Sequence, residues 1–499
     1  MDSLLPPKIQ PKIRYSKAAL SDHTAATHDL VVVLAPSKAA KTLLRQCPRS
    51  PELMIQLERS NKASTVTSVR LSATKQSGSL LLIFVKNPSN TFESLQFAAK
   101  AWKEAATFSA TSIALGTIGF ETADAHALLN HHLAAILAGS TALPTFKQNS
   151  TLTPLKAITI IEGTPTPFAT TLATHSGNYL ARWLTALPPN TLHCASYRKA
   201  LEQLAQQQGW QTEFMGLPAL QKHKAGAFLA VSRANMHKHA GIMRLSYRGS
   251  NTNAESRQKI TLVGKGICFD TGGINLKSHK SMYDMHTDMQ GSAVAVGTLL
   301  ALTQLQVPFD IECWLALTEN EIGPNAYRPQ EVITAANGVT IQVVHSDAEG
   351  RLVLADTLAL AAKQKPQLMI DFATLTGACV AALTERMSGV FSNRPALHDS
   401  IQRAGRNSGE RVWCFPMDSD FDADLDSPLA DIMQCTMDNK GDHILAARFL
   451  NRFVPEQIPW VHIDLSSANK IGGLAHIPTE ITGFGVRWAV EFITHYSFN

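Results

Sequence analysis

Continuous apolar runs bounded by polar or turn-forming residues recur along this chain, and they predict buried β-strands. Two of these runs, 29–36 and 79–86, lie in the first hundred residues. They are apolar at successive rather than alternate positions, which is typical of the buried strands of an α/β sheet. Similar runs return later in the chain, at 259–263, 310–316, 367–371 and 460–464.

Helical periodicity fills the intervals between these runs. Over 92–108, the residues Leu95, Ala98, Trp102 and Ala106 recur at steps of three or four, which places them on one helical face. Strands that alternate with helices indicate an α/β fold. The other predicted helices span 123–138, 175–186, 290–305, 352–363 and 443–453.

The alternation is interrupted at 163–167, where the sequence Gly-Thr-Pro-Thr-Pro marks a break between domains. A length of 499 residues also exceeds that of a usual single domain. We therefore expect a small N-terminal α/β domain over 1–165. A larger doubly wound α/β domain with a mixed sheet is expected over 166–499.

Composition favours a protein without membrane spans. The chain is 45% apolar and 17% charged, and no stretch approaches 18 consecutive apolar residues. The first residues lack the basic and apolar regions of a signal peptide. The seven cysteines form no CxxC pair, which favours free thiols in a reducing compartment. The expected location is therefore the cytoplasm.

The net charge of +5 is unevenly distributed. Residues 1–165 carry 17 basic and 10 acidic residues, whereas the remainder is slightly acidic. A bias of this size usually reflects a solvated surface, but it leaves nucleic-acid binding by the N-terminal part open.

Carboxylates follow two of the strand-like runs in the middle of the chain. The first run leads into Lys265 and Asp270, and the second, over 339–344, leads into Asp347 and Glu349. Ligands gather at the carboxyl ends of strands in α/β sheets, and divalent cations prefer several oxygen ligands. In an extended loop, Asp347 and Glu349 would project the same way. The pattern predicts a metal site, although each carboxylate taken alone is more often a helix cap or a surface charge.

At these residues the chain resembles the leucyl aminopeptidase family, whose members are two-metal exopeptidases. The matching segments are Val-Gly-Lys-Gly at 263–266, Phe-Asp-Thr-Gly-Gly at 269–273 and Asp-Ala-Glu-Gly-Arg-Leu at 347–352. The family's lysine and second aspartate, seven and eighteen residues after its first aspartate, are matched by Lys277 and Asp288. The resemblance covers roughly residues 175–499.

The resemblance implies two divalent cations, Mn²⁺ or Zn²⁺, because mixed nitrogen and oxygen ligands do not select sharply between them. Lys265 would be an unusual ligand that requires a depressed pKa. Its alternative role is a salt bridge to a neighbouring carboxylate. The implied metal ligands are Lys265, Asp270, Asp288, Asp347 and Glu349.

The same resemblance makes Lys277 and Arg351 the catalytic residues. Lys277 would donate to the developing oxyanion as a metal-activated water attacks the peptide bond. Arg351 would hold a bicarbonate that carries protons, since a guanidinium cannot act as a base. For either residue, a structural ion pair is the simpler alternative.

The implied activity is hydrolysis of the N-terminal residue of peptides, with leucine and other apolar residues preferred. A free α-amine would bind metal and Asp288. The side chain of the first substrate residue would lie near Met285, Thr374, Leu375 and Gly377. The family also implies a homohexamer, for which the apolar segment 444–450 is a candidate contact and an equally good candidate for the core.

Three departures from the family pattern leave these ligands intact. His345-Ser346 replaces Asn-Thr, Gln290 replaces glycine, and the late glycine-rich segment is Asn-Lys-Gly-Asp-His at 439–443. His345 is expected to pack or to hydrogen-bond, with a role as an extra ligand as the alternative. An accessory DNA-binding protein with the same fold is the alternative function, and a two-metal phosphohydrolase is a more remote one.

Overall fold

The computed structural model describes residues 4–7, 11–60, 67–86, 89–148, 154–251 and 257–498. The chain folds into two compact units. The N-terminal unit contains Pro7–His175 and Gly473–Pro478, and the C-terminal unit contains Ser176–Gly472 and Thr479–Asn499 together with Met1–Pro6.

The N-terminal unit is built on a six-stranded sheet with the order β1-β6-β5-β2-β4-β3. All its neighbouring strands are parallel except β3 and β4. The predicted runs 29–36 and 79–86 are β2 and β4. The strands are β1 (Lys12–Ser16), β2 (Leu30–Pro36), β3 (Ser68–Leu71), β4 (Ser79–Val85), β5 (Ser112–Thr117) and β6 (Ala157–Ile161).

Helices cover both faces of this sheet, which explains why β2 is apolar at every position. Leu30, Val32 and Leu34 pack in a cluster with α4 and α5, whereas Val31 and Val33 pack in a second cluster with α1, α2 and α3. Successive side chains of a strand point to opposite faces, so one strand supplies both cores. The helices are α1 (Asp22–Thr27), α2 (Lys41–Leu44), α3 (Ser50–Ser60), α4 (Thr91–Ala106) and α5 (Thr122–Ser140).

The C-terminal unit contains an eight-stranded sheet with the order β15-β14-β17-β13-β9-β10-β8-β7. Its central strands β17, β13, β9 and β10 are parallel, and antiparallel pairs lie toward both edges. The predicted mixed α/β sheet is confirmed. Its strands are β7 (Gln211–Gly216), β8 (Gly241–Tyr247), β9 (Lys259–Asp270), β10 (Asp310–Asn320), β13 (Leu368–Ala373), β14 (Ser388–Ser392), β15 (Val412–Cys414) and β17 (Trp460–Asp464).

A separate three-stranded sheet corrects one prediction. The run 339–344, which the sequence predicts to be a strand that leads into Asp347 and Glu349, forms only the short β12, which pairs with β11 and β16. The strands of this small sheet are β11 (Val332–Thr334), β12 (Thr340–Gln342) and β16 (Ile432–Met433).

Two buried helices flank β9 on opposite faces of the large sheet. Gly264 of β9 lies against α11, and the next residue, Lys265, lies against Gly350 of α12. Nearly every residue of α11 and all of α12 are buried, because α16 covers the former and α9 and α15 the latter. The helices from residue 169 onward are α6 (Ala169–Thr185), α7 (Cys194–Gln208), α8 (Leu217–Lys222), α9 (Gly226–Ser232), α10 (His279–Met282), α11 (Gln290–Gln304), α12 (Glu349–Ala362), α13 (Gly377–Leu383), α14 (His398–Ser408), α15 (Asp442–Asn451) and α16 (Val486–Thr494).

The apolar segment 444–450 lies in α15, and its apolar side chains belong mainly to the core. Leu445, Phe449 and Leu450 are buried against α12 and its neighbours. This segment therefore gives no support to a subunit contact.

Of the helices that the structure describes, none is long and apolar enough to cross a bilayer. All seven cysteines lie in described positions, and each is a free thiol.

Candidate metal centre

The site begins at the carboxyl end of β9, the strand that β10 and β13 flank. Asp270 is the last residue of β9, and a tight turn follows it through Gly272 and Gly273, whose φ angles of 86° and 63° favour glycine. The Lys277 amide donates to the Thr271 carbonyl at 2.9 Å, which closes the turn. The Lys277 ammonium consequently lies 2.8 Å from Asp270 Oδ2.

The segment after β12 brings two more carboxylates to Asp270. One ligand atom from each of Asp270, Asp347 and Glu349 falls within 4.8 Å of the others. The sequence predicted that Asp347 and Glu349 lie in one extended loop. This prediction is wrong, because Glu349 is the buried first residue of α12. Glu349 is fixed by a helix that packs on β9, whereas Asp347 is half-buried in the preceding turn.

Two lysines connect the acidic residues in pairs. The Lys277 ammonium lies 2.8 Å from Asp270 and 2.5 Å from Asp347. The Lys265 ammonium lies 2.8 Å from Asp288 and 3.1 Å from Glu349. All the metal ligands predicted from the sequence, and Lys277, are therefore gathered in one place.

Close packing leaves little room for Lys265 to lie elsewhere. A Cβ at Gly350 would come within 2.5 Å of Lys265 Cε. A Cβ at Gly264 would come equally close to the backbone of α11, at 2.5 Å from Ser292 Cα. Glycine at both positions lets the two helices approach β9, and the absence of a side chain at Gly350 leaves the space that the Lys265 side chain fills.

The charges in this buried site do not balance. Four carboxylates face two ammonium groups. Burial and the neighbouring Asp270 raise the pKa values of Asp288, Asp347 and Glu349 above their usual range. Burial by itself would lower the pKa of Lys265, but Asp288, Glu349 and Asp270 outweigh it, so that this pKa lies above its usual value.

The raised pKa bears on the predicted role of Lys265. In the arrangement of the protein groups themselves, Lys265 is an ion-pair partner, which was the simpler of its two predicted roles. Lys265 could bind a metal ion as a neutral amine only if the charge of the cation displaced the ammonium proton. Its role as a ligand therefore stays a prediction.

Oxygen atoms in the site are available for a cation. Asp288 Oδ2 and Glu349 Oε2 are buried, and neither has a hydrogen-bond partner among the described residues. Buried carboxylate oxygens without partners are costly, and a divalent cation would satisfy them and correct the charge deficit. The donor set fits a pair of hard or borderline cations.

The predicted substrate residues lie beside Asp288. Thr374 Oγ1 donates to Asp288 Oδ1 at 2.7 Å, and the Thr374 carbonyl accepts from the Lys265 ammonium at 2.9 Å. Leu375 follows in the same segment, and Gly377, which is exposed, begins α13. Met285, on the 3₁₀ turn that precedes Asp288, is partly exposed.

Arg351 is buried and already paired. Its guanidinium donates to both oxygens of Asp442 at 2.9 and 2.8 Å, and to the Gln434 carbonyl at 3.0 Å. Asp442 comes from the altered glycine-rich segment, so this departure from the family pattern places an acid on the predicted anion-binding arginine. The structural ion pair, the simpler predicted alternative for Arg351, is therefore present.

The other two departures have structural roles. His345 Nδ1 accepts a local hydrogen bond from the Asp347 amide at 3.2 Å. Gln290 is buried, and its amide nitrogen donates to Asn469 Oδ1 at 3.2 Å.

The residues that orient the predicted ligands carry no motif that the sequence made visible. Asn320, at the end of β10, donates to Asp270 Oδ1 at 2.8 Å and to the Ser346 carbonyl at 3.1 Å. The Tyr327 hydroxyl donates to the same carbonyl at 2.6 Å. Such partners hold ligating carboxylates in place. Asn320 could have been found, because it ends the strand that neighbours β9.

Comparison with known proteins identifies the family of the chain. The model of the cytosol aminopeptidase family, catalytic domain, matches residues 179–490. The chain belongs to this family. One relative, a probable cytosol aminopeptidase of Corynebacterium diphtheriae, is 38% identical over 318 residues, which cover 63% of this chain and 62% of the relative. Another, from Rhodopseudomonas palustris, is 41% identical over 291 residues, which cover 58% of this chain and 57% of the relative. The match thus spans less than two thirds of the length of these relatives.

Solved structures resemble the chain over more of its length. A tomato leucine aminopeptidase variant is 26% identical, with a TM-score of 0.86 and coverage of 99% of this chain and 98% of the other. A bottromycin maturation enzyme in complex with Mn is also 26% identical, with a TM-score of 0.80 and coverage of 93% and 98%. The predicted family and fold class are confirmed.

Proposed function

We propose that this cytosol aminopeptidase family member is a metal-dependent aminopeptidase that removes N-terminal residues from peptides, with leucine and other apolar residues preferred. The observation that carries the proposal is the convergence of Asp270, Asp288, Asp347 and Glu349 around two lysines. Buried oxygens of Asp288 and Glu349 have no hydrogen-bond partner among the described residues. We propose two divalent cations, Mn²⁺ or Zn²⁺, held by Lys265, Asp270, Asp288, Asp347 and Glu349. When bound, they would supply Lewis-acid polarisation of the peptide carbonyl and an acidified water.

The residues of the chain would orient the substrate around these cations. Asp288 would accept a hydrogen bond from the free α-amine, with its carboxylate fixed by Thr374 Oγ1 at 2.7 Å. An internal peptide nitrogen cannot replace the free α-amine in this contact, and this difference would make the enzyme an exopeptidase. Met285, Leu375 and Gly377 would line the space for the first side chain, and Lys277 would donate to the oxyanion.

Metal removal tests the proposal directly. We expect hydrolysis of Leu-p-nitroanilide to be lost after complete chelation and to return with Mn²⁺, because the carboxylates alone cannot polarise the carbonyl. The N-acetylated substrate is the control, and it should remain uncleaved because it lacks a free amine. Activity that survives verified metal removal would contradict the proposal.

Bicarbonate does not fit the described geometry well. Asp442 occupies both donors of one Arg351 nitrogen, and it neutralises the guanidinium that would otherwise attract an anion. We therefore assign no proton-transfer step to bicarbonate in this protein.

The Arg351–Asp442 pair makes a specific prediction. Stimulation by bicarbonate should be weak in the wild type and stronger in Asp442→Asn, with half-maximal stimulation at a concentration about tenfold lower, as ~1.4 kcal/mol would produce. The measurement is the initial rate against bicarbonate concentration. Asp438→Asn is the matched control, because Asp438 is an acid of the same loop that pairs with Lys440. Strong stimulation of the wild type that Asp442→Asn leaves unchanged would show that Asp442 does not block the site.

We propose that the protein assembles as a homohexamer, as its family resemblance suggests. Large apolar side chains exposed on the C-terminal unit support a subunit contact: Met437 is 84% exposed, Ile471 81% and Leu429 60%. Light scattering at micromolar concentration should give the mass of six 54.2 kDa chains. Full activity at the mass of a single chain would exclude the hexamer.

We also propose a cytoplasmic location, which the free state of all seven cysteines supports. Nothing in the part of the chain that the structure describes favours the accessory DNA-binding alternative.

A further inference from the structure

A second cluster of metal-ligating side chains lies on β9 close to the carboxylate centre. Cys194 and Cys268 are each 1% exposed, and a sulfur from each lies within 4.8 Å of a carboxylate oxygen of Glu319. Cys194 is the first residue of α7, Cys268 lies on β9, and Glu319 lies on β10. These residues come from three elements that are distant in sequence, and none of them has a role in the proposed reaction.

An irregularity in the sheet brings Glu319 and Cys268 together. Ile267 pairs with Thr318 and Asp270 pairs with Asn320, so the single residue Glu319 lies opposite two residues of β9. A β-bulge of this kind reorients side chains and often lies beside a functional site.

Glu319 is held in place by hydrogen bonds to both of its oxygens. The Cys194 amide donates to Oε1 at 3.1 Å, and Asn235 Nδ2 donates to Oε2 at 3.1 Å. A carboxylate has about four lone-pair positions, so both oxygens keep acceptor capacity. Asn235 is itself buried and also bonded to Thr318, which makes it a fixed support of the kind that ligating carboxylates have.

The distance between the sulfurs matches a shared cation better than a disulfide. Cys194 Sγ and Cys268 Sγ are 3.9 Å apart. Two thiolates at about 2.3 Å from a tetrahedral Zn²⁺ would be roughly 3.8 Å apart. A disulfide needs about 2.05 Å and would require the sulfurs to approach by nearly 2 Å. The alternative to a metal site is a hydrogen-bonded pair of thiols. Glu319 would then serve only to accept a hydrogen bond from the Cys194 amide at the start of α7.

The cluster opens onto a pocket that suits a cation. The pocket has a volume of about 370 Å³, and its lining includes Cys194, Cys268 and Glu319. His193, His237 and His239 also line it, so the pocket contains nitrogen donors as well. A cation could enter from the pocket and keep one coordination position facing it.

We propose that Cys194, Cys268 and Glu319 form a second metal site, selective for a thiophilic divalent cation such as Zn²⁺ and distinct from the carboxylate centre. Thiolate ligands favour soft and borderline cations over Mg²⁺ or Ca²⁺. Binding converts both thiols to thiolates and releases two protons to solvent, after which one carboxylate and two thiolates hold the cation.

The test uses Cd²⁺ as the probe, because a cadmium–thiolate bond gives a charge-transfer band in the ultraviolet. The proposed carboxylate centre contains no sulfur, so this band reports only on cysteines and its outcome is independent of the peptidase proposal. The reduced full-length protein, loaded with Mn²⁺, should develop the band and reach saturation at one Cd²⁺ per chain. The band should be absent in Cys194→Ser and in Cys268→Ser.

Two further variants make the result specific. Cys313→Ser is the matched control, because Cys313 is a fully buried thiol on β10 outside the cluster, and it should keep the band. Glu319→Gln should keep the band, because both sulfurs remain. It should bind Cd²⁺ at least ~10-fold more weakly, since the loss of a residue that only supports a ligand already weakens metal binding by about that factor. A band that persists in Cys268→Ser, or that is absent from the wild type, would overturn the proposal. A Cys194–Cys268 disulfide, detected in the intact mass of the reduced, Cd²⁺-treated protein, would overturn it as well.

A measurement on the wild type keeps the proposal testable if the serine variants fail to fold. The ¹¹³Cd NMR spectrum of the Cd²⁺-treated protein should contain a resonance in the range of mixed sulfur and oxygen ligation. A spectrum with oxygen-ligated cadmium only would overturn the site.

Discussion

Glu349→Gln is expected to abolish stable metal binding and to reduce kcat/KM for Leu-p-nitroanilide by about 10³-fold. A catalytic cation supplies several kcal/mol of transition-state stabilisation, and each 1.36 kcal/mol corresponds to a factor of ten. The substitution keeps the size of the side chain but removes the charge of a proposed ligand whose second oxygen has no protein partner among the described residues. Elemental analysis after gel filtration and initial-rate kinetics measure the two effects.

The same variant should not destabilise the metal-free protein. Burial and Asp270 raise the pKa of Glu349, so removal of its charge relieves an unfavourable interaction, although Lys265 loses one of its two partners. Functional sites commonly hold charges that stability alone would not favour.

Asp356→Asn is the matched control in the same helix. Asp356 is also buried, but the amides of Phe228 and Ala336 donate to its oxygens at 2.8 and 2.6 Å. Its replacement should lower the free energy of unfolding by about 1–3 kcal/mol and leave the metal content unchanged. Equal metal loss in both variants would indicate general disruption of α12, and full metal content in Glu349→Gln would exclude Glu349 as a ligand.

Much of the fold could be predicted from local pattern. The runs at β2, β4, β9, β10, β13 and β17 are continuous in apolar residues because helices cover both faces of each sheet. The pattern overestimated the strand at 339–344, where only Thr340–Gln342 forms a strand, in a small separate sheet. It also gave no indication of β1, whose residues Lys12–Ser16 include two basic residues and alternate between partly buried and exposed.

The candidate site was predictable to the extent that it depends on spacing along the chain. The family resemblance, which rests on the intervals between Asp270, Lys277 and Asp288, predicted that these residues share one site. A single strand and turn carry the first two. The partner of Arg351 was not predictable, since Asp442 lies 91 residues away and meets it only through the packing of α15 on α12. The Cys194–Glu319 contact likewise depends on the neighbouring strand and its bulge.

Lys277→Met is expected to reduce kcat by about 10²–10³-fold with little change in KM, the loss typical of one oxyanion donor. Methionine keeps most of the length of the side chain and removes its charge and its donors. Lys280→Met is the matched control, because Lys280 is an exposed lysine three residues later, on α10, and its replacement should leave kcat unchanged. Steady-state kinetics on Leu-p-nitroanilide with saturating Mn²⁺ measure both variants.

The metal content of Lys277→Met separates a catalytic role from a structural one. The Lys277 ammonium lies 2.8 Å from Asp270 and 2.5 Å from Asp347, so it competes with a cation for the same oxygens. Its removal should therefore leave Mn²⁺ affinity unchanged or increase it, even as the rate falls. If Lys277→Met loses metal together with activity, Lys277 supports the ligands rather than the reaction. If the variant is fully active, no oxyanion role remains for this residue.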